Sequence, residues 1–211
     1  MKESAGEGDP ARSEAGPRAR HSAQRGTRRG VAQAWIETIS EYPEAVSAFG
    51  VARRALGTTG LQSLRRARLI ELEGALPPAA EVAERLHGST RFYNPNKERC
   101  HLRMTDADPA PLEPGERAVL VFDRGGERRE AAERWWKRAT GTPVRVREGT
   151  AWIVAATAPG EGDAMIEGLI ELKDARHGLL CNPHAQEYRR AGDPVPLAWF
   201  ASGAKPREGK R

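Results

Sequence analysis

Two cysteines and five histidines are the residues best suited to nucleophilic or metal chemistry in this 211-residue chain. Their spacing limits what they can do. His177, Cys181 and His184 fall within eight residues, which suits a metal or a Cys/His nucleophile pair, but no fourth ligand accompanies them. His177 is expected at a helix end, where an imidazolium complements the free carbonyls, and Cys181 as a buried thiol. Cys100 and His101 are adjacent, and neighbours in a strand point to opposite faces, which prevents a shared proton. Two cysteines make neither a disulfide scaffold nor a four-ligand zinc site. The expectation is a chain with no metal and no cofactor, in a reducing, cytoplasmic setting.

Anion and base recognition are the next chemistries to weigh. Gly125-Gly126 before a helix offers amides to a phosphate, but the pair lacks nucleotide-loop spacing and reads as a plain strand-to-helix turn. Trp135-Trp136 followed by Lys137 and Arg138 invites a stacking platform. Adjacent helical residues diverge by about 100°, so one tryptophan is expected in the core and the other at an interface. Arg53, Arg54, Arg65, Arg66 and Arg68 form a basic strip that is either a solvated face or a phosphate-facing edge. No carboxylate pair sits in an apolar setting that would tune it for acid–base work. A binding or bridging module is therefore expected in place of a catalyst.

Charge sharpens that reading. The formal net charge is +5, but residues 1–30 hold seven Lys/Arg against four acids and residues 201–211 hold four against one. The chain from 31 to 200 keeps 23 basic and 24 acidic residues, so the basicity belongs to the ends. Both ends are rich in Gly and polar residues and are expected to be disordered tails, residues 1–30 and 201–211. A ribosome- or RNA-associated protein using those tails is the alternative class, with strongly salt-dependent binding. No apolar run approaches membrane-spanning length, and the amino terminus has no apolar signal segment.

The elements that must position these residues occur twice. Residues 31–40 alternate like a strand, 44–57 have helical spacing with a stop at Gly57, 61–74 are extended, 79–88 form a helix, and 92–104 hold an Asn-Pro turn and a short strand. In the second half, 117–124 is an apolar strand and 129–141 a helix. Residues 142–157 read as a hairpin turning at Glu148-Gly149, 163–178 as a helix, and 179–190 again carry Asn-Pro. Asn94 and Asn182 are 88 positions apart, as are Val31 and Val119. The pattern predicts an α+β chain of two tandem ferredoxin-like βαββαβ units, at 31–104 and 118–200, joined by a proline-rich hinge at 105–117. Each sheet has a face too small to stand alone, so the units are expected to pack sheet on sheet or to continue one sheet into the other, in a pseudo-two-fold arrangement.

Particular strings resemble the PurS family. GVARRALGTTGLQSLRRARLIELEG (50–74) is similar to the stretch in which that family's first helix ends in Leu-Gly, here Leu56-Gly57, and leads into a strand, here Leu69 to Glu73. HGLLCNPHAQEYRR (177–190) is similar to the family's closing segment at Leu179, Leu180, Asn182, Pro183 and Tyr188. The first half keeps Asn94, Pro95 and Glu98 and has Cys100 where the tyrosine stands. The resemblance implies a non-catalytic subunit of phosphoribosylformylglycinamidine synthase in purine biosynthesis. Such a subunit bridges the synthetase and glutaminase subunits and self-associates. It also implies that Asn94, Pro95, Glu98, Asn182, Pro183 and Tyr188 shape the partner contacts. The opening turn departs from the family, with Ser40 to Glu44 in one half and Arg124-Gly125-Gly126 in the other.

Overall fold

The computed structural model describes residues 28–171, 178–192 and 194–202. The expectations for residues 1–27, His177 and 203–211 lie outside them. The described chain is α+β. It runs β1 (Arg28–Thr38), α1 (Pro43–Arg54), β2 (Leu61–Leu76), α2 (Ala79–His87) and β3 (Glu98–Arg103), then β4 (Arg117–Asp123), α3 (Glu130–Thr140), β5 (Val144–Ala156), α4 (Gly162–Ile170) and β6 (Gln186–Arg190). All six strands form one antiparallel sheet in the order β3-β1-β2-β5-β4-β6. The strands make a single sheet, not two stacked ones. Arg28, Arg29 and Gly30, expected in the tail, already belong to β1.

Local chemistry explains the helices. Pro43 opens α1, where its missing N–H costs nothing, with Glu44 in the first turn and Arg53 and Arg54 in the last, each facing the favourable end of the dipole. Val82 and Leu86, one turn apart, are the buried residues of α2. Gly141 ends α3 at φ 77°, the left-handed position that glycine takes without strain.

The strand pattern differs from the expected hairpin. Residues 144–156 form one unbroken strand, as do 61–76, so each half is βαβαβ. Gly149 sits mid-strand because a neighbour comes close: a Cβ there would lie 2.8 Å from Leu120 Cδ1 and 2.9 Å from the Val121 carbonyl oxygen. The glycine that resembles a turn residue is a site of backbone approach. In the same region the part of the expected helix over 172–177 lies outside the described residues, and α4 spans Gly162–Ile170. Leu180 N–H returns to bond the Leu169 carbonyl (2.9 Å).

The ladders of the two halves correspond. β1 sets Ile36 opposite Cys100 and Arg68, and β4 sets Val121 opposite Tyr188 and Thr150. Equivalent residues are thus 85 positions apart in the opening strands (36 and 121), 82 in the long strands (68 and 150) and 88 in the closing strands (100 and 188). The opening strands do not keep the 88-residue offset read from Val31 and Val119; Val119 matches Ala34. Where β2 meets β5, Arg68 pairs with Thr150, its own equivalent.

All four helices lie on one sheet face, over two apolar clusters. One gathers Ile36, Ile70, Leu72 and Phe92 under α2 and α3. The other gathers Leu64, Val119, Val121 and Val154 under α1 and α4. Each cluster draws one helix from each half of the chain. The opposite face carries Trp35, Leu69, Leu120 and Ile153, and it is covered by the chain's own Val195, Trp199 and Phe200. Residues 105–116, read as a hinge, also lie on this face through Ala110 and Leu112. The Asp108 carboxylate fixes them by accepting the Met104 and Thr105 N–H groups (2.8 and 2.9 Å).

Candidate functional site

The two Asn-Pro turns are built alike, at opposite outer edges of the sheet. The Asn94 side-chain oxygen accepts the Asn96 N–H (3.1 Å), and its carbonyl accepts those of Lys97 and Glu98. The Asn182 side-chain oxygen accepts the His184 N–H (3.0 Å), and its carbonyl those of Ala185 and Gln186. Four residues on, a side chain returns to the asparagine N–H: Glu98 in the first half (2.6 Å) and Gln186 in the second (3.0 Å). Gln186 was absent from the sequence-based set, and Arg68 was placed in the arginine strip and not at this turn. The Asn-x-x-x-Glu/Gln spacing is the signal that finds Gln186.

Beyond the turn, the pair differs. Glu98 also meets Arg68 (3.3 Å), whose guanidinium donates to the Phe92 carbonyl (2.6 Å) and reaches Glu148 (3.6 Å). Gln186 instead donates to Asp123 (3.1 Å), and Arg124 donates to the Pro183 carbonyl (3.1 Å). Tyr188 and Cys100 occupy equivalent ladder positions, opposite Val121 and Ile36. The Tyr188 hydroxyl donates to the Glu171 carboxylate (3.4 Å), and burial first, then the Glu171 charge, pushes its ionisation up. Asn94, Asn182 and Glu98 are thus used in building the chain's own edges. Pro183 and His184 are exposed beside them.

The other candidates separate. Burial pushes the Cys100 thiol up to about 11 and raises that of Cys181 as well, the reverse of an activated nucleophile. No group of three or more metal-binding side chains occurs among the described residues. Gly126 N–H is spent on the Asp123 carbonyl (3.1 Å). Trp136 is fully buried and Trp135 partly so; both meet the Phe92 ring, at 6.2 and 5.5 Å between centroids. The pair anchors α3 and offers no stacking platform.

The arginine strip is not one surface. Arg53 lies over the Phe49 ring and Arg66 over the Tyr42 ring (5.7 and 4.9 Å). Arg65 grips Glu116 with two nitrogens (3.1 and 2.7 Å) and Glu37 with a third (2.5 Å). Alternation sends Arg65 to one face and Arg66 and Arg68 to the other. Arg65 and Arg66 line a cleft of about 570 Å³ where β1 parts from β2 beneath α1; its walls include Tyr42, Val46, Phe49 and Arg99. Of the three exposed large hydrophobics among the described residues, Ile39 and Val46 border it.

No family model, curated protein or solved structure matches the chain. No helix of the described residues is long and apolar enough to cross a membrane.

Proposed function

We propose that the chain is a PurS-like assembly subunit of phosphoribosylformylglycinamidine synthase, acting in the cytoplasm and holding synthetase and glutaminase together while ammonia passes between them. The observation that carries the reading is the pair of Asn-Pro turns. They coincide with the family-like strings, share one hydrogen-bond pattern, and stand at equivalent places in a sheet whose long strands pair through Arg68 and Thr150. Its free cysteines, Cys100 and Cys181, are compatible with a reducing compartment.

The tandem ferredoxin-like arrangement is part of the same proposal, in an exchanged form. Each split-βαβ lobe takes its second strand and first helix from the other half. β3, β1, the carboxyl-terminal half of β2 and the amino-terminal half of β5 supply the four strand positions of one lobe, under α2 and α3. The two-strand segment expected in each unit is then an opened hairpin, with its strands in different lobes. Asn94, Pro95 and Glu98 mark one docking edge, and Asn182, Pro183 and Tyr188 the other.

Mixing the chain with the two enzyme subunits tests this. Co-purification of all three and restoration of glutamine-dependent formylglycinamidine synthesis are expected. Unchanged glutamine-dependent turnover when the chain is withheld would sink the assignment.

A further inference from the structure

We propose that the cleft beside α1 binds an extended strand of a partner polypeptide, paired antiparallel to residues 64–66 of β2 and bringing a carboxylate side chain to the Leu64 N–H. This inference does not depend on the purine-pathway reading. It rests on the internal equivalence of the two halves, one of which has this place filled.

In the second half, β5 extends beyond the end of its β4 ladder at Val121–Thr150. Residues 127–129 return to cover that stretch. Glu148 N–H donates to the Glu127 carbonyl (2.7 Å) and Arg129 N–H to the Val146 carbonyl (2.8 Å), forming an antiparallel bridge between Arg128 and Arg147. The Glu133 carboxylate then takes the Val146 N–H (3.0 Å). Three backbone groups of β5 are satisfied by a short extended segment and one acidic side chain.

At the offsets set by the ladders, Leu64 and Arg66 are the equivalents of Val146 and Glu148, and Tyr42, Glu44 and Ala48 those of Glu127, Arg129 and Glu133. Here no described residue forms the covering segment. Pro43 starts α1 where Arg128 makes its bridge, and the Tyr42 carbonyl accepts the Ala45 and Val46 N–H groups (3.0 and 3.1 Å). Ala48 has no acceptor to offer. The β1–β2 ladder ends at Ile36–Arg68. Since Glu148 directs its N–H away from β2, Ile70–Glu148 is a non-hydrogen-bonded pair, and so, at alternate positions, are Arg66–Trp152 and Leu64–Val154. The Leu64 N–H, Leu64 carbonyl and Arg66 N–H therefore point away from β5 into the cleft, and no described residue supplies the equivalent partner. Backbone polar groups at a strand edge are a template for another strand.

The surroundings define the occupant. The counterpart groove is filled by extended chain plus a carboxylate. Arg65, Arg66 and Arg99 line this cleft against Glu37 and Glu41; Arg65 is paired with Glu37 and Arg66 stands 4.0 Å from Glu44, while Arg99 makes no ion pair among the described residues. The exposed Ile39 and Val46, with Phe49, offer an apolar wall to alternate side chains. A strand alternating acidic and large apolar residues meets all three demands.

Amide exchange on the full chain reads the edge directly. Leu64 and Arg66 are expected to exchange on the order of 100-fold faster than Val146 and Glu148. A capped heptapeptide alternating valine and glutamate is expected to slow both, leaving the second half unchanged. A48E installs the missing carboxylate and is expected to protect Leu64 and weaken the peptide by about tenfold. If Leu64 and Arg66 are as protected as their counterparts without peptide, the chain's own residues fill the edge and the proposal is wrong. Peptide binding that A48E leaves untouched, or that never slows these two amides, also overturns it. Should A48E fail to fold, the exchange pattern of the unmodified chain decides.

Discussion

Asn94 and Asn182 each spend a side-chain oxygen on the N–H two residues on and close their turns with the carbonyl. Replacing either with alanine is expected to cost about 1 kcal/mol, the usual net worth of such a bond, read from the midpoint of urea unfolding. Cys100, held at about 11 by burial, is expected to react with iodoacetamide at pH 8 more than about 100-fold slower than an ordinary thiol; comparable rates would show that burial does not control it. Glu133 gives the pH prediction. The Arg128 hydrogen bond first, then the Val146 N–H and the Arg128 and Arg145 charges, hold its carboxyl below the usual range, against the effect of burial. A depressed carboxylate adds stability above its unfolded value near 4.5 and loses it as pH falls through the folded one. E133Q is therefore expected to lose stability at neutral pH and to flatten the acid limb of a stability–pH curve below that value.

Among the elements, most helices and strands were legible because their apolar period is local. Val82 and Leu86 mark α2, and the alternation of 31–40 marks β1. Glu148-Gly149 misled, since a glycine serves equally in a turn and where two backbones crowd, and only the position of Val121 distinguishes them. G149A is expected to destabilise by about 1–3 kcal/mol through that contact, measured by thermal or urea unfolding, whereas a turn glycine that tolerates alanine would show little change. Of the candidate site, the asparagines, Pro95, Pro183 and Glu98 could be found by spacing, while the cleft could not. Its existence depends on a helix that begins at Pro43 where the other half continues as extended chain, a difference visible only once the ladders are aligned.

For the whole molecule, the apolar clusters mix both halves, so neither half contains a complete core. Fragments 28–104 and 117–202 are expected to be unfolded alone and to fold cooperatively when mixed, followed by circular dichroism; independent folding of either would contradict the dependence of each half on the shared clusters. Trp199 is fully buried 5.7 Å from the Trp35 ring. Beside it a buried network runs from Arg103 to Gln33 (2.6 Å) and the Val195 carbonyl (3.1 Å), with Gln33 donating to the Pro196 and Leu197 carbonyls. W199A is expected to cost about 3–5 kcal/mol by uncovering the helix-free face. By itself the sequence determined the helices and most of the strands in outline, though not the unbroken strands at 61–76 and 144–156, together with the near-neutral middle and the repetition of order, because periodicity, capping and turn chemistry act over a few residues. Tertiary structure alone decided that the long strands pair through Arg68 and Thr150, that each helix-side cluster takes one helix from each half, and that Val195, Trp199 and Phe200 cover the second face. These are choices between distant segments of similar apolarity, settled by register and buried area that no local pattern encodes.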